Sequence, residues 1–127
     1  MLQKGFKNMK KLCTREVKLF AECLGFTEAE AKEVTDLFYK IKSAKPDCWQ
    51  VGQELNTVDE YIDEWEGHWH RETNWKEYYE YEKEECMYCY GNTDAEAEAI
   101  FKNIESFKAC VSSFSYELSN GLIIVVG

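Results

Sequence analysis

The chain has 127 residues, 45% hydrophobic and 31% charged, with one proline and seven glycines. That balance fits one folded domain over 1–127 and excludes wholesale disorder or a long flexible linker. The net charge of −9 is uneven: residues 1–50 hold ten Lys/Arg against seven Asp/Glu, residues 51–100 three against fifteen, and residues 101–127 two against two. A nucleic-acid binder is normally basic, so direct binding of nucleic acid by the acidic part is disfavoured.

Residues 1–12 carry lysines without an apolar core segment or small-residue cleavage site, and no run of eighteen apolar residues occurs. Neither a signal peptide nor a membrane span is expected. Phe6, Met9, Cys13, Val17, Phe20 and Leu24 recur at three- and four-residue steps, which predicts an amphipathic helix ended by Gly25, with Phe26 folding back onto it. Thr27 and Glu30 form a capping-box signature for a second helix, striped by Ala31, Val34, Leu37, Phe38 and Ile41 and stopped by Pro46. Residues 1–46 are thus expected as a helical hairpin.

Thr57 with Glu60 starts a shorter helix bearing Tyr61, Ile62 and Trp65 up to Gly67. Within 57–92, Tyr79, Tyr81 and Lys83, then Cys86, Tyr88 and Tyr90, alternate as strands do. A helix through Trp75, Tyr78, Glu82 and Cys86 fits nearly as well; strands are favoured here. Thr93 with Glu96 opens one helix through Ala99, Ile100, Ile104 and Phe107 toward Val111, the first part of region 93–127. Phe114, Tyr116 and Leu118 then alternate with polar residues, and Asn120-Gly121 is a two-residue hairpin signal. In that register Ile123 and Val125 share a face with Leu118 and Tyr116. Leu122 to Val126 is apolar on both faces, so an interior strand with a further neighbour from the tyrosine-rich stretch is expected. The fold class is α+β: a helical hairpin, further helices, and a small antiparallel sheet ending in a C-terminal β-hairpin.

From Asp63 to Ala99 there is no Leu, Ile, Val or Phe. A segment without aliphatics is expected to make little ordinary core, whereas Trp and Tyr anchor interfaces at low entropic cost. The candidate partner-binding residues are Asp63, Glu64, Trp65, Trp69, Trp75, Glu77, Tyr78, Tyr79, Glu80, Tyr81, Glu82, Glu84 and Glu85. Carboxylates interleaved with rings present negative charge beside stacking surfaces, as a nucleic-acid strand does. A channel lined by Arg and Lys would meet paired charges and cation–π faces. The competing reading is a solvated acidic face over one side of a sheet.

His68, His70, Cys86 and Cys89 are two imidazoles and two thiols, a set that suits tetrahedral zinc. Their order and spacing are not those of a zinc finger, so no cofactor is the leading expectation and Zn the alternative. An extended backbone would let His68 and His70 converge. The six cysteines (Cys13, Cys23, Cys48, Cys86, Cys89 and Cys110) are expected as reduced thiols in a cytoplasm, and nearby glutamates disfavour a reactive C-x-x-C. No catalytic signature is present: there is no nucleophile elbow, phosphate loop or zincin helix.

Lys7, Lys11, Arg15 and Lys18 lie opposite the apolar stripe of the first helix. That basic face could hold nucleic acid as a weak DNA-binding regulator, or meet the acidic face of a second copy in a homodimer. In size and charge the chain is similar to small acidic proteins of phages and mobile elements that inhibit host nucleases by occupying nucleic-acid sites. The leading expectation is a non-enzymatic, protein-binding inhibitor of that anti-CRISPR-like kind. Its partner would carry a basic surface, and no membrane is involved. A small zinc-binding regulatory module is the alternative.

Overall fold

The computed structural model describes residues 10–44 and 55–126. Two compact units meet in sequence between His68 and Trp69. In the first, α1 (Thr14–Leu24), α2 (Glu28–Ala44) and α3 (Val58–His68) form a helical cluster. Gly25 takes a left-handed φ of 77° and its N–H donates to the Ala21 carbonyl at 2.8 Å, which ends α1 as expected. The Phe26 ring then stacks on Phe20 at 5.8 Å. Both capping boxes form: Thr27 N–H donates to Glu30 and Glu30 N–H to the Thr27 hydroxyl, and Thr57 and Glu60 do the same. The core contains Val17, Phe20, Ala31, Val34, Phe38, Leu55, Tyr61 and Trp65.

α1 is shorter than its periodicity suggests. It starts at Thr14 because Cys13 is the N-cap, closed by the Glu16 carboxylate, which accepts from Cys13 N–H at 2.9 Å. A cysteine cap is not a standard signature, since a thiol is a weak acceptor. Lys11 therefore precedes the helix rather than riding on it. Phe6, Met9 and Pro46 lie outside the described residues.

The second unit contains β1 (Trp69–Glu72), α4 (Trp75–Glu85), a 3-10 turn (Met87–Cys89), α5 (Asp94–Ile100), α6 (Ile104–Val111), β2 (Ser115–Glu117) and β3 (Ile123–Val126). The antiparallel sheet has the order β1-β3-β2. With six helices in the described residues, the α+β class and the C-terminal hairpin are as expected, and β3 is interior. The neighbour of β3, however, comes from 69–72 and not from the tyrosines.

Three further expectations are corrected. Residues 75–85 form a helix, not strands: Asn74 accepts from Glu77 N–H at 2.9 Å and caps it, and a buried Tyr78 with half-buried Trp75, Tyr79 and Glu82 sets its inner face. The helix expected from Thr93 to Val111 is two, because Phe101–Asn103 breaks it and Asn103 caps α6 through Ser106 N–H. The hairpin loop has three residues, Ser119-Asn120-Gly121, with Leu118 N–H donating to Leu122 O and Gly121 at φ +95°. A three-residue loop ending in a left-handed glycine shifts the register by one. Ile123 consequently pairs with Glu117, Ile124 with Tyr116 and Val125 with Ser115.

The aromatic residues expected at an interface largely form the core of this unit instead. Tyr78, Phe101, Phe107, Val111, Ile123 and Val125 are its centre, flanked by Trp75, Tyr79, Met87, Tyr90 and Phe114. Aromatics with polar tips can fill a core where each tip meets an acceptor at its rim. Tyr79 donates to Phe101 O at 2.8 Å, and Trp75 Nε1–H to Glu117 at 2.9 Å.

Candidate functional site

α4 sorts its residues into sectors at 100° per residue. Tyr78, Glu82, Trp75 and Tyr79 occupy the inward sector. Lys76 and Lys83 flank it, with the Lys83 ammonium 5.6 Å from the Tyr79 ring centre. The outer sector, about 140° wide by that helical geometry, carries Glu77, Glu80, Tyr81, Glu84 and Glu85, all exposed. Tyr81 is 56% exposed amid these four carboxylates. The four span about 12 Å of helix axis, so neighbours lie on average about 4 Å apart along it. One strand of a nucleic-acid duplex carries a phosphate about every 3.4 Å.

Glu82 does not belong to that stripe. Its carboxylate accepts a hydrogen bond from the Tyr90 hydroxyl. Burial, followed by the Glu82 charge, pushes the Tyr78 phenol up to about 12. Burial and then the bond to Glu82 push Tyr90 far above the ordinary phenol range. Both phenols therefore stay neutral, and Glu82 is a buttress of the fold.

Trp69 is 5% exposed and Tyr78 2%, so these rings pack inside rather than meet a partner. In the first unit, Asp63 is exposed, while Glu64 is buried with its Oε1 3.9 Å from His68 Nδ1. Trp65 packs edge-on against Phe26 at 5.0 Å. An exposed aromatic outside the expected set is Tyr88, at 62% exposure in the 3-10 turn. Its position between Cys86 and Cys89, past the end of a helix, is the sequence signal that it has no inner face to occupy.

The histidines and cysteines of the alternative zinc reading are distributed over different elements. His68 ends α3, so the two histidines do not share an extended segment. His70 Nε2 lies 3.1 Å from Glu72 on β1. Cys86 caps α4, and Cys89 ends the following turn. Among the described residues, no group of three or more His, Cys, Asp or Glu side chains is disposed to hold a metal ion. Nor is any described helix long and apolar enough to cross a membrane.

Of the expected basic face, Lys7 lies outside the described residues and Arg15 is exposed, while Lys11 and Lys18 pair within their own unit. Lys10 pairs with Glu16 at 3.0 Å, Lys11 with Asp36 at 3.6 Å and Lys18 with Glu28 at 3.9 Å. Comparison with known families, curated proteins and solved structures found no match for this chain.

Proposed function

We propose that this chain is a non-enzymatic, acidic protein-binding module that occupies the nucleic-acid-binding channel of a basic partner, such as a nuclease of the CRISPR type. The observation that carries this reading is the outer face of α4, where Glu77, Glu80, Glu84 and Glu85 surround the exposed Tyr81 on a helix clamped from beneath. A packed helix presents its carboxylates pre-positioned, so little ordering entropy opposes binding. Each exposed pair contributes little by itself, but several together steer association and make it salt-dependent. Tyr81 adds a ring on which an arginine can stack.

The test is charge reversal at Glu77, Glu80, Glu84 and Glu85, with Glu82 left intact because it holds Tyr90. Affinity purification from the native host identifies the partner. The reversed protein is expected to fold normally and to lose that partner, while nucleic acid competes with wild type for the same site. Retention of wild-type affinity at low ionic strength overturns the reading.

A further inference from the structure

We propose that Cys86 and Cys89 are a paired-thiol modification site that closes to an intramolecular disulfide when the protein meets a small-molecule disulfide such as oxidised glutathione. The fold brings the two thiols together. Cys89 N–H donates to Cys86 O at 2.8 Å, forming an i to i+3 turn. Such a turn holds its end Cα atoms within about 7 Å, against the roughly 4.4–6.8 Å that a disulfide spans. The Cys89 thiol is also among the groups that raise the Cys86 thiol, as a close neighbour would.

The turn is held at both ends. Cys86 N–H donates to Glu82 O at 2.8 Å, and Tyr90 N–H to Met87 O at 3.2 Å. The Tyr90 ring packs edge-on against Phe101 at 5.4 Å, and its hydroxyl is tied to Glu82. Closure therefore starts from a pre-formed loop, with little further chain ordering to oppose it. Among the other described cysteines, Cys13 caps α1, Cys23 lies on α1 and Cys110 on α6.

Cys89 is exposed and Cys86 half-buried, which sets the order of the steps. The Cys89 thiolate attacks one sulfur of the glutathione disulfide. That S–S bond breaks, and one glutathione leaves with the electron pair and takes a proton from water. Cys86 then loses its proton to solvent and attacks the Cys89 sulfur, expelling the second glutathione. In sum, two protein thiols are oxidised and one disulfide is reduced to two thiols. Burial, then Glu82, Cys89 and Glu85, raise the Cys86 thiol, so less of it is thiolate at a given pH. The bond therefore closes faster as pH rises. It acts as a latch on the backbone of Met87 and Tyr88, the segment that follows the acidic stripe.

The test uses the full, reduced chain treated with oxidised glutathione, followed by alkylation and peptide mass mapping. Two of the six thiols are expected to disappear, both in the peptide carrying Cys86 and Cys89 and without retained glutathione. Closure should accelerate as pH rises above the ordinary thiol range. Cys86→Ser should trap glutathione on Cys89, and circular dichroism of that variant verifies its fold. Stable glutathione adducts on both cysteines of the wild-type chain, or their preferential bonding to other cysteines, overturn the proposal. Because the readout is covalent, it stands or falls independently of partner binding.

Discussion

In the first unit, buried positions repeat every three or four residues along helices: Val17, Phe20 and Ala21, then Ala31, Val34 and Phe38, then Tyr61 and Trp65. In the second, the core is assembled from scattered positions: Tyr78 on α4, Phe101 in a helix break, Phe107 and Val111 on α6, and Ile123 and Val125 on β3. Both units are held by contacts between distant segments, such as Trp65 on Phe26 in the first, but only in the first do the buried positions also follow local helical periodicity and capping. The second unit also has the larger acidic excess, with eleven carboxylates and five cations in residues 69–127. Its helix α4 must serve both needs, with rings inward and carboxylates outward. No described, buried side-chain polar atom lacks a partner, so the polar tips of these rings impose no unsatisfied group.

The comparison breaks most sharply at Phe107, whose ring is fully buried and packs edge-on against Tyr78 at 5.0 Å. Phe107→Ala should cost about 3–5 kcal/mol in chemical denaturation, the range for deleting a buried aromatic. A loss below about 1 kcal/mol, the range of an ordinary surface change, would show that the aromatic cluster is not a packed core.

A smaller difference separates the two faces of α4. Tyr79→Ala removes a ring packed at 5.7 Å from Phe107 and the bond to Phe101 O, and should destabilise the protein by about 2–3 kcal/mol. Tyr81→Ala should stay within about 0.5 kcal/mol of wild type, since its ring lies in solvent. Equal effects in thermal melts would erase the distinction between inner and outer faces.

The smallest effect belongs to the first unit and depends on pH. The Glu16 carboxylate accepts from Cys13 N–H and from Lys10, which lowers its pKa from the ordinary 4.5 to about 2. A carboxyl lowered on folding contributes stability that is fully present above its unfolded pKa. That stability is lost as pH falls from about 4.5 to about 2. Glu16→Gln should flatten this part of the stability–pH curve. Parallel curves for wild type and variant would show that the Cys13 cap does not depend on the carboxylate.

Sequence alone determined the elements whose signals are local. Gly25, Thr27–Glu30 and Thr57–Glu60 place helix ends through bonds made within four residues, and the apolar stripe of α2 names its buried face. The outer carboxylates of α4 were legible as charge, but not as a stripe, because the strand and helix periods compete over 75–90. Asn74 three residues before Glu77 was the local signal that could have decided it. Tertiary structure decided what the rings do: Tyr78, Tyr79 and Tyr90 turn inward because Phe101, Phe107 and β3 give them an apolar surface, and Glu82 follows Tyr90. It also brought Trp69–Glu72 beside β3 and shifted the hairpin register by one residue at Gly121. Such choices rest on contacts between segments tens of residues apart, whose free energy no local pattern encodes.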